Sequence, residues 1–589
     1  MEETWDLSSL FPSDNAWEQA LGKYEKMTAK LPSYKETLAR SAESLADWMD
    51  FSRDLDMLGQ RLFFYAHARH SEDYRCEKTH AMKSKYDTAS AKSRTANAWA
   101  NPEILAIPEA DIGRFLEHPR LADYRVYIGR ILRLRPHTLN AEEERIAALY
   151  EEGASVLPGV VSAFNVDTNV DMGSIDTPDG KIELKKDTEW WALYESPDPE
   201  IRRKLSDKVG EHWDAHKNML ASFVSGKVKY NGIRARVHGY PSARAAAMFK
   251  DNVDEEVYDN LIATVGESLD SLHRYYDIRK RALGLGKMHN YDMGLPLVRP
   301  VKRRTPWNKA VELILESLAP LGDGYVSTLR SGLGGRWVDR CRNQGKDSYA
   351  GGFCIVGYES DPCIMMSYDE EKIDDLVILT HELGHAMHLL HSTRANPYRH
   401  YFGSYFESEV ASIFHMEMLF QHLLKTYGDD KGMRLFLVNN RVDFFRSMVY
   451  DNIMHAEYEQ ILHRLDETGT PLTADTLCGE YRNLVQKYHG PELVMDASSG
   501  RNGLRYPSPE PFYTYVYATG TCAALALADR VLGGDEMERD DYIAFLKSGG
   551  SSFPMDTLKL AGVDMSRPAP VQAACRVFAG LVDELERLL

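Results

Sequence analysis

Along most of the chain apolar residues recur at intervals of three and four, the spacing that gathers them on one face of an α-helix. The stretch DNAWEQALGKYEKMTAKL carries this spacing behind a start signal at Asp14. In TPWNKAVELILESLAPLG the pattern is framed by Thr305 as a cap, Pro306 at the first helical position, and Pro320 with Gly322 near the stop. SPDPEIRRKLSDKVGEHW starts another helix in the same way. From Glu371 to Leu390, the positions Ile373, Leu376, Val377, Leu383, Met387 and Leu390 predict a helix with one buried stripe. Residues 404–424, SYFESEVASIFHMEMLFQHLL, are apolar nearly all round, which predicts a buried helix.

Alternating or β-rich stretches are few. VVSAFNVDTNV (160–170) and KIELKK (181–186) flank a Pro-Asp-Gly turn at 178–180 and predict a β-ribbon. SYAGGFCIVGYESDPCIMMSY (348–368) is rich in Ile, Val, Gly and aromatic residues and precedes the helix at 371–390. The pattern is that of a mainly α protein with a small β-sheet beside that helix. The ribbon divides the chain into an N-terminal helical domain, residues 1–190, and a larger C-terminal domain, residues 191–589. Fixed-period repeats and low-complexity runs are not evident.

Composition narrows the function classes. The 589 residues carry 88 acidic and 70 basic side chains, a formal charge of −18. That excess disfavours contact with nucleic acid or anionic lipid. Seven scattered cysteines, without a CxxC pair, read as reduced thiols of a cytoplasmic protein. The opening MEETWDLSSLF lacks the basic start and apolar run of a secretion signal. No apolar stretch reaches the roughly 18 residues of a membrane span. Oligomeric state is not legible.

The chemistry concentrates in LVILTHELGHAMHLLH, residues 376–391. On a helix His381 and His385 lie about 6 Å apart along the axis and about 40° apart around it, so their imidazoles converge on one metal ion. Glu382 is carried beside them. HExxH on a helix is the zinc peptidase arrangement of two ligands and a carboxylate base. His391 stands about 15 Å along the axis from His381 and cannot share that ion. The glycine that would turn the chain back toward the metal is also missing, its place being taken by His388. His388 and His391 therefore support the ligands from behind, face substrate or lie at the surface. The third ligand therefore comes from another element, and Glu407, Glu409 and Glu417 of the following helix are the candidates. Periodicity does not choose among them.

The order of segments resembles oligoendopeptidase F, in the thimet-oligopeptidase-like family of zinc peptidases. The matching stretches are ARAAAMFKDNVDEEVYDNLI, GKMHNYDMGLPLV, GGFCIVGYESDPCIMMSY, DDLVILTHELGHAMH, ESEVASIF and FYTYVYATG. The resemblance implies a mostly helical fold with a deep channel admitting short peptides. It implies one Zn²⁺ held by His381, His385 and Glu409, with Glu382 as general base. It also implies that Tyr515, near Tyr513 and Tyr517, steadies the oxyanion. The strand around Gly352 would pair with a substrate main chain.

Two positions depart from the family pattern. A histidine expected before the tyrosine segment is replaced by RYPSPEPFY, with Ser508 near its place and His489 a spatial stand-in. Met416 stands where the family has a glutamate, with Glu417 one step later, so a carboxylate that would orient a zinc histidine is displaced. Residues 496–511 suit a flap closing over substrate. The expected activity is a zinc-dependent oligoendopeptidase. A helical zinc carboxypeptidase and a non-catalytic zinc- and peptide-binding homologue are the alternatives.

Overall fold

A computed structural model describes residues 3–140, 142–144, 146–147, 151, 171–178, 180–185, 190–299, 301, 303–342, 345–346 and 351–589. Its main elements follow in chain order. Helices α1 (Asp14–Thr28), α2 (Ala42–Ser71) and α3 (Glu77–Asn97) open the chain. Strands β1 (Asp171–Thr177) and β2 (Gly180–Lys185) precede the long helix α4 (Pro199–Val237). Next come α5 (Trp307–Ser317) and the strands β3 (Val338–Asp339), β4 (Gly352–Ile355) and β5 (Cys363–Met366). Helices α6 (Ile373–Ala395), α7 (Tyr405–Thr426), α8 (Asn452–Glu467), α9 (Ala474–His489), α10 (Tyr515–Gly533) and α11 (Glu536–Ser548) complete the set used below. Among the described residues the chain is mainly helical with two small sheets, as the apolar spacing predicts.

Two compact units are interleaved in sequence. One comprises Met1–Pro136, Lys302–Thr426 and Ala523–Asp564; the other comprises His137–Val301, Tyr427–Cys522 and Met565–Leu589. This differs from a division near residue 190. The N-terminal helices share a unit with the HExxH helix because they cover the sheet beside it. Strand β4 shows how. Its side chains alternate between two faces. Phe353 and Ile355 join the core built on Trp17, Leu45, Trp48 and Leu62 of the N-terminal helices, and Phe353 packs against Trp5 and His67. Trp17 is fully buried and its indole N–H donates to the Leu62 carbonyl at 2.9 Å. Gly352 and Cys354 alternate with them: Gly352 lies against Glu382 of α6, and Cys354 packs beside Val356, Leu389 and Tyr401.

The three-stranded sheet has the order β3-β5-β4, with β3 parallel and β4 antiparallel to β5. A buried ammonium fixes its far end. Lys346 donates to the Asp339 carboxylate at 2.9 Å, the Cys341 carbonyl at 2.8 Å and the Met366 carbonyl at 2.7 Å. These bonds offset the cost of burying the charge.

In the second unit β1 and β2 form an antiparallel ribbon whose Met172, Ile175 and Leu184 pack on Leu205 of α4. The ribbon is real, but its first strand is 171–177; the stretch 160–170 lies outside the described residues. Residues 497–504 form a 3₁₀ helix, and Gly503 there accepts a 2.7 Å bond from Tyr458 of α8. The first half of the expected flap is therefore ordered and packed.

Two start signals are also corrected. Ser13, not Asp14, caps α1 by accepting the Ala16 N–H, while Asp14 pairs with Arg69 and Lys78. Thr305 does not cap α5, whose N-cap is Pro306; its carbonyl accepts the Tyr368 hydroxyl instead.

Candidate metal centre

Helix α6 runs unbroken from Ile373 to Ala395, so His381 and His385 occupy successive turns of one face. More of the helix is buried than a single stripe, with Leu376, Leu379, Leu383, Ala386, Met387 and Leu390 all inside. Helix α7 lies against it at unusually short range. A Cβ on Gly384 would stand 2.5 Å from the Ser412 Cα and 2.7 Å from the Ala411 carbonyl oxygen. Only a residue without a side chain permits that approach. It brings Glu409, one turn before Ser412, to the imidazoles.

The resulting cluster joins His381, His385 and Glu409, each offering a ligand atom within 4.8 Å of the others. The two Nε2 atoms are 3.0 Å apart, and the Glu409 Oε2 lies 3.7 Å from the His381 Nε2. Two nitrogens around a tetrahedral zinc at 2.0–2.1 Å stand about 3.3 Å apart, close to the spacing here. Ser412 donates to the Glu409 Oε2 at 3.2 Å and holds that carboxylate. The His385 Nδ1 meets the Ser408 hydroxyl at 2.8 Å, and the His381 Nδ1 meets the Met416 sulfur at 3.3 Å.

Electrostatics make this donor set fit a dication. Burial depresses His381 to about 4 and His385 well below the usual range, so both imidazoles are neutral, the form that ligates metal. Burial raises Glu409, and burial together with the Glu409 charge pushes Glu382 up to about 8. Glu382 is only 6 % exposed. Two buried carboxylates side by side are costly unless a cation accompanies them. Lone pairs from two neutral nitrogens and one carboxylate are the set zinc takes.

The other candidate glutamates have different work. Glu407 accepts from the Ser404 N–H at 3.0 Å and the Thr557 hydroxyl at 2.8 Å. Glu417 accepts from Gln421 at 2.8 Å. The other histidines are built into packing. His391 stacks on Tyr325, and His388, 3 % exposed, stacks on Phe545 of α11. Its burial against α11 shows that His388 is not a surface group. The His489 ring packs against Tyr276 in the interior of the second unit, which removes it as a stand-in for the missing histidine. Gly352 sits where a Cβ would be 2.7 Å from the Met365 carbonyl oxygen and 3.3 Å from the Glu382 Cγ. Ser408, which touches the His385 imidazole, went unmarked in the sequence, whereas Met416, which touches His381, stands where the resemblance has a histidine-orienting glutamate. Their places one residue before Glu409 and two turns after it were the available signal.

The tyrosine segment belongs to the second unit. Tyr515 opens α10 almost completely buried, its ring against Tyr258. Burial holds its phenol well above the ordinary range, hence protonated and able to donate. Tyr513 and Tyr517 are half-buried and meet edge to face, 5.6 Å between centroids. Ser508 lies half-buried in the preceding arm. That arm is anchored by Glu459 of α8, which accepts the Phe512 N–H at 2.8 Å and the Tyr506 hydroxyl.

Residues 192–577 match the sequence model of peptidase family M3, and residues 103–172 match that of oligopeptidase F. The chain is 36% identical to Oligopeptidase PepF of Bacillus subtilis over 593 residues, covering all of this chain and 87% of that one. It is 31% identical to the oligoendopeptidase F homolog of Borreliella burgdorferi over 600 residues, covering 100% and 98% of the two. The crystal structure of oligoendopeptidase-F from Enterococcus faecium superposes with a TM-score of 0.74 at 27% identity, covering 98% and 99%. The chain belongs to peptidase family M3, as a metallopeptidase homologous to oligopeptidase F.

Proposed function

We propose that this protein is a zinc-dependent oligoendopeptidase that hydrolyses internal bonds of short, unfolded peptides. The observation that carries the reading is the convergence of two neutral imidazoles and the Glu409 carboxylate beside the buried Glu382. His381, His385 and Glu409 would hold one Zn²⁺. When bound, zinc supplies Lewis-acid polarisation of the scissile carbonyl and brings the pKa of water toward neutrality.

Glu382 takes a proton from the attacking water and returns it to the leaving amine. Its carboxyl is carried on the same helix as the two imidazoles, within reach of a water held beside them. Strand β4 is the edge of its sheet among the described residues, so its outer main chain can pair with an extended peptide. Pairing of that kind depends little on substrate side chains and suits a broad peptide diet. The glycine at 352 keeps a side chain away from Glu382. A phenol from the tyrosine segment, Tyr515 by resemblance, would donate to the developing oxyanion, with Tyr513, Tyr517 and Ser508 contacting substrate.

The test is cleavage of internally quenched peptides, with products identified by mass spectrometry. Internal cuts that stop with a chelator and return with zinc are expected. Glu382→Gln should lower kcat by about 10²–10⁴-fold while zinc stays bound. Release of single C-terminal residues, or full turnover by the Gln variant, would overturn the reading.

A further inference from the structure

Each ligand imidazole must present a bare Nε2 to the metal, and its other nitrogen decides whether it does. For His385 the partner is the Ser408 hydroxyl, which can donate or accept. For His381 it is the Met416 thioether, 3.3 Å from Nδ1. A thioether carries no proton and can only accept. The contact therefore requires the proton of His381 to sit on Nδ1, leaving Nε2 free beside His385 and Glu409.

We propose that Met416 is a positioning residue of the metal centre: its sulfur accepts the Nδ1–H of His381 and fixes that ring and tautomer for zinc. The inference rests on the zinc reading above. Helix periodicity supports it. Glu409 and Met416 are seven residues apart, two turns, so they share one face of α7. Ser408 is adjacent to Glu409. A single helix thus delivers the third ligand and the Nδ1 partners of both histidines.

Neighbouring groups do not substitute for the sulfur. His415 is engaged through its Nε2 with the Tyr325 hydroxyl at 2.6 Å, and Glu417 accepts from Gln421. Met416 is 8 % exposed, so water has little access to compete for the imidazole proton. Sulfur is a weaker acceptor than a carboxylate oxygen, so the His381 ring is held with less electron donation than a carboxylate would give. Zinc affinity is then set below what an oxygen acceptor at this position would allow.

The experiment titrates the full chain with zinc against a chromophoric chelator, without reference to peptidase activity. Met416→Leu conserves volume and removes the acceptor. It should weaken zinc binding about 10–100-fold and leave the unfolding midpoint of the metal-free protein near wild type. Met416→Gln places an amide oxygen within reach of Nδ1 and should bind zinc at least as tightly as wild type. The absorption bands of Co²⁺ in the site should shift in the Leu variant and recover in the Gln variant. Wild-type zinc affinity in Met416→Leu overturns the inference while leaving the peptidase reading intact. A wild-type chain that binds no zinc overturns both. If the Leu variant does not fold, the Gln variant decides, since binding tenfold weaker than wild type refutes the acceptor role.

Discussion

Replacing Gly384 by alanine tests what brings the two helices of the metal centre together. The added Cβ would stand 2.5 Å from the Ser412 Cα, 2.7 Å from the Ala411 oxygen and 2.9 Å from the Ser412 nitrogen. All three are main-chain atoms, so no rotamer change relieves the overlap. Carbon atoms in comfortable contact sit about 3.5–4.0 Å apart. Helix α7 must therefore retreat by about 1 Å. Glu409 lies one turn from Ser412 and moves with it, whereas metal–ligand distances tolerate only about 0.2 Å. Overpacking of this kind costs about 1–3 kcal/mol of stability. Zinc affinity, measured by chelator competition, should fall by about 10–100-fold or more. Chemical unfolding of the metal-free variant should show only the smaller loss. A Gly384→Ala protein that binds zinc like wild type would refute the claim that this approach sets the ligand geometry.

Two further outcomes follow from buried groups of the second unit. Burial pushes Glu459 up to about 7 from a usual 4.5, against lowering by the Tyr506 hydroxyl, the Phe512 N–H and Lys227. The stability it contributes is fully present below pH 4.5 and is lost as pH rises through 7, about 3 kcal/mol in all. Glu459→Gln keeps an acceptor for Phe512 and Tyr506, so urea unfolding should show it gaining up to about 3 kcal/mol over wild type at pH 8 and nothing from this source at pH 4.5; identical pH dependence in both proteins would sink the argument. Among the tyrosines, Tyr515→Phe should lower kcat/KM by about 10²–10³-fold with zinc content unchanged if its phenol serves the oxyanion. A loss confined to Tyr513→Phe or Tyr517→Phe would move that role to the half-buried pair.

Apolar spacing carried the helical character of the chain because helix period is a local property. It placed the helices at 371–390 and 404–424 within a few residues of their ends. Unit boundaries were not local. Phe353 and Ile355 of β4 bury into a core made by residues some 300 positions earlier, and nothing near residue 190 encodes that pairing. The caps misread at Asp14 and Thr305 failed for a related reason. Asp14 had ion-pair partners on α2 and α3, and the Thr305 backbone was already bonded to Glu370 and Tyr368.

The metal centre divides along the same line. The two histidines and Glu382 sit on one helix, where rise and rotation per residue fix their relation, so five letters suffice to place them. Choosing among Glu407, Glu409 and Glu417 requires knowing which face of α7 meets α6. About that helix Glu407 lies roughly 160° from Glu409, and Glu417 roughly 80°. Once Gly384 and Ser412 are known to touch, the face is determined and only Glu409 reaches the imidazoles. The same contact explains Met416. Two turns along the face that bears Glu409, whatever residue stands there must meet the first histidine, and in this chain it is a thioether. The glycine between the histidines is thus as much a determinant of the centre as the ligands are. It sets the helix separation, and the separation sets which side chains become donors.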